Sequence, residues 1–140
     1  MKDELVRMAQ SARKNAYAPY SGYSVGAAAR NPSGEFFTGA NVENVSYGLT
    51  LCAERLAISC LVNSGPPELT EIAVATQDGG TPCGMCLQTM LEFAPDPAQV
   101  NVFCVNALGE VRDFTLKDLL PYGFSSQSVK RTEPNGSVVI

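Results

Sequence analysis

The stretch Thr81-Pro82-Cys83-Gly84-Met85-Cys86 sets two thiols in a C-x-x-C directly after a proline. Such a pair either trades electrons as a dithiol or holds a metal with further ligands, and the usual further ligand is histidine. The chain contains no histidine, so a metal here must be completed by other groups. A third thiol, Cys52, opens one predicted helix, as Cys83 and Cys86 open another. A helix N-terminus offers free N–H groups and a partial positive charge, which favours a thiolate and suits a metal bound through sulfur. Three thiolates can therefore converge, leaving the fourth position of a tetrahedral zinc open. Structural zinc sites close with four protein ligands, whereas catalytic ones keep a position for water. Cys60 and Cys104 could in principle fill it, but Cys60 lies two turns down its helix and Cys104 is mid-strand among Val102, Phe103 and Val105. Both read as buried small hydrophobes.

Glu54 follows Cys52 by two residues, on the same first helical turn. It can reach a water on a metal without ligating the metal, which is the position of a general acid/base. Taken alone it would be an ordinary first-turn acid favoured by the helix dipole. Beside three convergent cysteines it reads as catalytic.

These residues need a scaffold. Leu5, Met8, Ala12 and Ala16 fall at helical spacing, predicting an amphipathic helix from residue 3 to about 15. YSVGAAAR and EFFTGANV flank Asn31-Pro32-Ser33-Gly34 and read as a hairpin. CAERLAISCLVNSG has the propensities of a buried helix, stopped by Gly65-Pro66-Pro67. EIAVATQ is a short buried strand, CGMCLQTMLEFA a second core helix, and VNVFCVNA and EVRDFTL two further strands. LKDLLP suggests a short helix, and the tail after about residue 125 carries no strong signal. This order predicts one α/β domain over residues 1–140, a three-layer α/β/α sandwich around a central mixed sheet of about five strands.

Ten basic against fourteen acidic residues give a net charge of −4 with no basic cluster, which argues against a nucleic-acid partner. No stretch approaches the apolar length of a membrane span, and the N-terminus lacks the apolar core of a signal peptide, so a cytoplasmic protein without a membrane partner is expected. Five cysteines, an odd number, point to metal or catalysis before disulfides.

The pairing of Thr50-Leu51-Cys52-Ala53-Glu54 with Pro82-Cys83-Gly84-Met85-Cys86 resembles the zinc-dependent cytidine deaminases, in their tri-cysteine form, whose signature includes a glutamate that is not a metal ligand. AYAPYSGYSVGAA (16–28), GANVENVSYG (39–48) and LLPYGF (119–124) also have counterparts in that family, so the resemblance covers nearly the whole chain. It implies a cytidine deaminase-like fold and one Zn2+ per chain on Cys52, Cys83 and Cys86. It also implies a hydrolase of cyclic amidine C–N bonds, turning cytidine or 2'-deoxycytidine into uridine or 2'-deoxyuridine plus ammonia in pyrimidine salvage. Glu54 would move the water's proton to N3 and help expel the amino group, while the Ala53 N–H binds O2. Arg55 would offset the negative charge of the thiolates. Asn41 and Glu43 match the pair that hydrogen-bonds ribose hydroxyls, and Tyr23 takes the place of a phenylalanine that packs against the pyrimidine. Phe124 resembles an aromatic donated by a neighbouring subunit of a homotetramer with shared active sites, and Tyr20 and Tyr47 are candidates for the site's edge.

Three positions depart from the family pattern: Met85 replaces a small residue, Leu87 an arginine, and Tyr23 a phenylalanine. The extra hydroxyl of Tyr23 raises the alternative of a modified cytosine nucleoside or a blasticidin S deaminase-like substrate. A structural zinc protein, a dithiol redox protein and a nucleic-acid editor are the competing classes. The first has no use for Glu54, the second does not suit the predicted element order, and the third lacks a basic groove.

Overall fold

Consecutive strand residues alternate between two apolar faces, and both faces are covered. The structure, a computed structural model, describes residues 2–126, 131–132, 134–136 and 138–139. The elements of the main layer are α1 (Lys2–Arg13), β1 (Gly26–Arg30), β2 (Phe36–Ala40), α2 (Ala53–Ser64), β3 (Glu71–Ala75), α3 (Gly84–Glu92), β4 (Asn101–Val105), β5 (Val111–Thr115) and α4 (Leu116–Leu119). A two-residue ladder of β6 (Arg131–Thr132) with β7 (Val138–Val139) follows. Residues 127–130, 133, 137 and 140 of the tail, which carries no strong sequence signal, lie outside the described residues.

The five-stranded sheet has the order β2-β1-β3-β4-β5. Only β3 and β4 are parallel; every other neighbouring pair is antiparallel, so the sheet is mixed as expected. Ala27, Ala29, Ile72, Val74, Val102 and Cys104 point to one face, packed against Ala57, Ile58 and Leu61 of α2 and Leu87 and Met90 of α3. Ala28, Ala73, Ala75, Phe103 and Val105 point to the other, under Leu5, Val6 and Ala9 of α1. The three-layer α/β/α arrangement follows, with central strands β1, β3 and β4 that read as apolar runs because both their faces are covered, and edge strands β2 and β5 that stay partly exposed.

Close helix approach is arranged by glycine at two strand positions. A Cβ on Gly26 would lie 2.2 Å from the carbonyl oxygen of Ala9, and one on Gly39 would lie 2.6 Å from that of Ala53. Alanines and glycines in β1 and β2 thus let α1 and α2 settle onto the sheet backbone. Helix α1 is shorter than its pattern suggested: Ala16 lies beyond its end, and Val6 and Ala9 join Leu5 and Ala12 in the buried face.

The topology explains how the cysteine-bearing helix starts meet. Strands β2 and β3 are both antiparallel to β1, so they run in the same direction. The connections leaving their C-terminal ends emerge at one edge of the sheet, and α2 and α3 begin from those connections. In open α/β sheets this carboxyl edge is where ligands bind.

Candidate active site

Cys52 is the N-cap of α2 and Cys83 the N-cap of α3, each with extended backbone and a side chain that makes no capping bond to the backbone N–H groups of its helix. Their sulfurs are free to turn toward one another. Cys86, in the first turn of α3, is fully buried. The three Sγ atoms lie within 4.8 Å of one another, and the Sγ atoms of Cys83 and Cys86 are 3.5 Å apart. A tetrahedral zinc with Zn–S bonds of about 2.3 Å holds its sulfurs about 3.8 Å apart, so the donor set fits that ion in both chemistry and spacing. Cys104 is buried in the sheet as expected, where burial pushes its thiol up to about 11. Cys60 is exposed, contrary to the expectation. Residues 53, 54, 57, 58 and 61 of α2 face inward, which turns position 60 to solvent beside Ser59.

Charge in the cluster is already uneven. The Cys52 thiol is drawn down to about 5, first by a hydrogen bond from the Cys86 thiol and then by Arg55. Cys86, as donor of that bond and buried, is pushed up. Arg55 directs Nη2 at the Cys52 Sγ, 3.8 Å away, and at the Thr50 carbonyl oxygen at 3.0 Å. The guanidinium thus lies where it offsets thiolate charge, and its buried Nε has no partner among the described residues. Glu54 is 5% exposed, and burial pushes its carboxyl up, with the Cys52 charge adding to the effect.

Glu54, Cys52, Ala53 and Cys83 line a cavity of about 320 Å³, together with Tyr23, Asn41 and Glu43. That volume lies within the range of small-molecule sites. Among the described residues lining it there is no lysine, arginine or histidine.

Asn41 and Glu43 fasten the segment that forms the cavity wall. Asn41 Oδ1 accepts the Val25 N–H at 2.9 Å, and its Nδ2 donates to the Tyr23 carbonyl at 2.8 Å. Glu43 Oε1 accepts the N–H groups of Tyr20 and Ser21 at 2.9 and 3.1 Å, and Oε2 accepts from the Ser21 hydroxyl. The Ser21 hydroxyl, then the two backbone bonds, hold the Glu43 carboxyl below its ordinary value. The Tyr23 hydroxyl donates to Asp78 Oδ1 at 2.7 Å.

Tyr47 is at the rim. It lines a shallower hollow with Tyr20, Ser21, Glu43 and Thr50, and its ring meets that of Tyr20 edge-on at 5.9 Å. Phe124 does not line the cavity of its own chain. It is exposed, beside a separate groove bordered by Gln88 and Pro67, and Gln88 Nε2 donates to its carbonyl at 2.6 Å. Of the departures from the family pattern, Leu87 packs into the core between α3 and the sheet, whereas Met85 is exposed.

The sequence reading missed Asp78, Thr76 and Ser21. Asp78 and Ser21 lie in connections and bond to partners on a different one, Tyr23 and Glu43, whereas Thr76, at the end of β3, bonds to Asp78, Gly79 and Gly80 of its own connection.

Residues 1–103 match a family model described as the cytidine and deoxycytidylate deaminase zinc-binding region. The chain is similar to the cytidine deaminase of Halalkalibacterium halodurans, 40% identical over 127 residues that span 89% of this chain and 95% of that one. It is likewise similar to the cytidine deaminase of Mycobacterium tuberculosis, 40% identical over 125 residues, 88% of this chain and 89% of that protein. Among solved structures, that of cytidine deaminase from Burkholderia pseudomallei matches with a TM-score of 0.80 at 43% identity, covering 89% of this chain and 99% of that one. The chain that gathers Cys52, Cys83 and Cys86 around one edge of its sheet therefore belongs to the zinc-binding cytidine and deoxycytidylate deaminase family.

Proposed function

We propose that the chain is a zinc-dependent cytidine deaminase that adds water to cytidine or 2'-deoxycytidine and releases ammonia with uridine or 2'-deoxyuridine. The observation that carries this reading is the buried Glu54 carboxyl beside three converging thiols, at the floor of a cavity of nucleoside size. Cys52, Cys83 and Cys86 would hold the ion. Bound there, zinc supplies the Lewis acidity by which a water can lose a proton near neutral pH.

The remaining chemistry falls to the chain. Glu54 accepts one proton of the attacking water and donates it to N3 as C4 becomes tetrahedral, then takes the remaining proton from the new C4 hydroxyl and passes it to the amino group, which leaves as ammonia as the C4=O bond forms. The Ala53 N–H, in the first turn of α2, is free of an intrahelical partner and receives O2. Arg55 offsets the charge of the Cys52 thiolate. Asn41 and Glu43 receive the ribose hydroxyls with the hydrogen-bonding capacity they keep after fastening the wall, and the Tyr23 ring closes the pyrimidine side. The cavity's acidic lining, without a cation among the described residues, favours a nucleoside over a nucleotide, because a phosphate there would face Glu43 with no partner.

A homotetramer is proposed with the function. Val45, Tyr47 and Leu49 are 78%, 74% and 64% exposed, an apolar stretch at the cavity rim that a second copy would cover. Phe124, remote from its own cavity, would complete a neighbour's. Reduced thiols fit the cytoplasm, and the chain reads as one domain.

The test is incubation of the purified protein with cytidine, 2'-deoxycytidine, cytosine, blasticidin S and cytidine monophosphate, following the ultraviolet change and ammonia release. Turnover of the two nucleosides is expected. Absence of turnover for every cytosine compound would overturn the proposal. Light scattering that finds a fully active monomer would remove Phe124 from the site.

A further inference from the structure

We propose that Asp78 is a positioning residue that fixes Tyr23 as the wall of the substrate cavity; the proposal rests on the reading of Tyr23 as the side chain against the pyrimidine. Tyr23 precedes β1 and belongs to no helix or strand; its backbone is tied by Asn41 Nδ2 on its carbonyl at 2.8 Å and by its N–H donating to Ser21 Oγ at 3.0 Å, which leaves the far end of the ring to be fixed separately. Its hydroxyl reaches across to the turn between β3 and α3, where Asp78 Oδ1 accepts it at 2.7 Å. That contact spans 55 residues of sequence and joins the two connections that enclose the cavity.

Asp78 is itself held. Its Oδ1 accepts the Gly80 N–H at 3.1 Å and the Thr76 hydroxyl at 3.3 Å. Thr76, buried at the end of β3, uses the same hydroxyl oxygen to accept the N–H groups of Gly79 and Gly80 at 2.8 and 3.1 Å. Arg112 of β5 adds a bond from Nη2 to the Gly79 carbonyl at 2.6 Å. A side chain at position 80 would crowd the pair, since its Cβ would lie 3.0 Å from the Tyr23 hydroxyl and 3.2 Å from Asp78 Oδ1.

The distance between the two connections is set from behind by one residue of α1. Arg13 Nε donates to the Ser24 carbonyl at 2.8 Å, next to Tyr23, and its Nη2 donates to Gln77 Oε1 at 3.2 Å, next to Asp78. Arg13 therefore brings the turn and the wall together, and the Tyr23–Asp78 bond closes the bracket on the cavity side. With its hydroxyl committed to Asp78, Tyr23 is supplied as a preset ring and not as a hydrogen-bond donor to the base. This removes the reason to expect a modified base. A ring ordered before substrate arrives spares binding the cost of ordering it.

The experiment compares Asp78→Ala, Asp78→Asn, Tyr23→Phe and the Tyr23→Phe/Asp78→Ala double variant, each at confirmed full zinc content. Steady-state kinetics with cytidine are expected to show a KM raised about threefold in Asp78→Ala at unchanged kcat, a size that suits an exposed hydrogen-bonded pair. Asp78→Asn, which still accepts the phenol, is expected to restore most of the loss. In the Tyr23→Phe background Asp78→Ala is expected to have no further effect. An unchanged KM in Asp78→Ala, or the same rise with and without the Tyr23 hydroxyl, would overturn the proposal.

A second readout needs no turnover. In NMR spectra of tyrosine-labelled protein, with the Tyr23 signals identified by Tyr23→Phe, Asp78→Ala is expected to shift and broaden them. Unaltered Tyr23 signals would also overturn the proposal. Should the wild-type chain turn over no cytidine, the functional reading falls and the NMR comparison alone decides whether Asp78 fixes the ring.

Discussion

Replacing Gly39 by alanine tests whether the catalytic residues are placed by the sheet beneath them. Gly39 is on β2, and an added Cβ would lie 2.6 Å from the Ala53 carbonyl oxygen and 2.8 Å from both the Ala57 nitrogen and the Leu56 Cβ. Two of these are backbone atoms, so no side chain can swing aside. Ordinary contact begins near 3.4 Å, and the first turn of α2 must therefore retreat by about 0.8 Å. That turn carries Glu54 and is capped by Cys52. Overpacking of this kind costs about 1–3 kcal/mol, which in a chain of this size lowers Tm by about 3–10 °C. A displacement approaching 1 Å at the reacting groups is expected to lower kcat/KM by about tenfold to a hundredfold. Gly84 is the internal control: it lies between Cys83 and Cys86, yet an added Cβ there meets nothing within 4 Å. Calorimetry, zinc analysis and cytidine kinetics on Gly39→Ala and Gly84→Ala, with melts read at saturating zinc, give the answer. A Gly39→Ala variant with wild-type Tm and wild-type kcat/KM would refute the reasoning, as would a Gly84→Ala variant impaired as severely.

Glu54→Gln is expected to keep its zinc and lose about 10²–10⁴ of kcat, measured by metal analysis and ammonia release; a structural zinc site would lose nothing. Cys86→Ser is expected to lower zinc affinity and Tm together, since a buried ligand and a core contact go at once, and competition with a chelator followed by calorimetry reads both. Arg55→Ala is expected to weaken zinc retention less than Cys86→Ser while lowering kcat, because it removes charge beside the Cys52 sulfur and a bond to the Thr50 carbonyl but no sulfur donor. Glu43 supplies the pH test. Its carboxyl is held below the ordinary 4.5, so the stability it contributes is complete above that value and is lost as pH falls through the lower folded-state value. The Tm difference between wild type and Glu43→Gln is expected to be constant down to about pH 5 and to vanish under more acid conditions, in a calorimetric pH series.

The fold was legible because each element advertises itself. The Asn31-Pro32-Ser33-Gly34 turn and short apolar runs marked the strands, and Gly65-Pro66-Pro67 marked the end of α2. Cysteines at helix starts, with Glu54 one turn in, announced a metal-centred reaction because few other uses explain those residue types together. What escaped is tertiary in origin. Thr76 and Gln77 were read as the end of the strand EIAVATQ and Asp78-Gly79-Gly80 carried no assignment, since Tyr23 is brought to Asp78 only by the approach of two connections. Cys60 was misplaced because a helix with apolar residues on most sides conceals its solvent face until the sheet beneath it is known. Phe124 was assigned by resemblance to a neighbouring subunit's site, and it lies outside the cavity of its own chain.

Helix α3 holds at one end Cys83, which lines this chain's cavity, with the buried Cys86 beside it, and further on the Gln88 that grips the main chain of Phe124. In the assembly proposed above, that short rod belongs to two reaction sites at once. A subunit damaged in α3 would then spoil its neighbour's cavity along with its own. In mixed tetramers of intact and defective chains, activity would fall faster than the fraction of intact subunits, and a metal-starved cell would feel the loss before half of its subunits were empty.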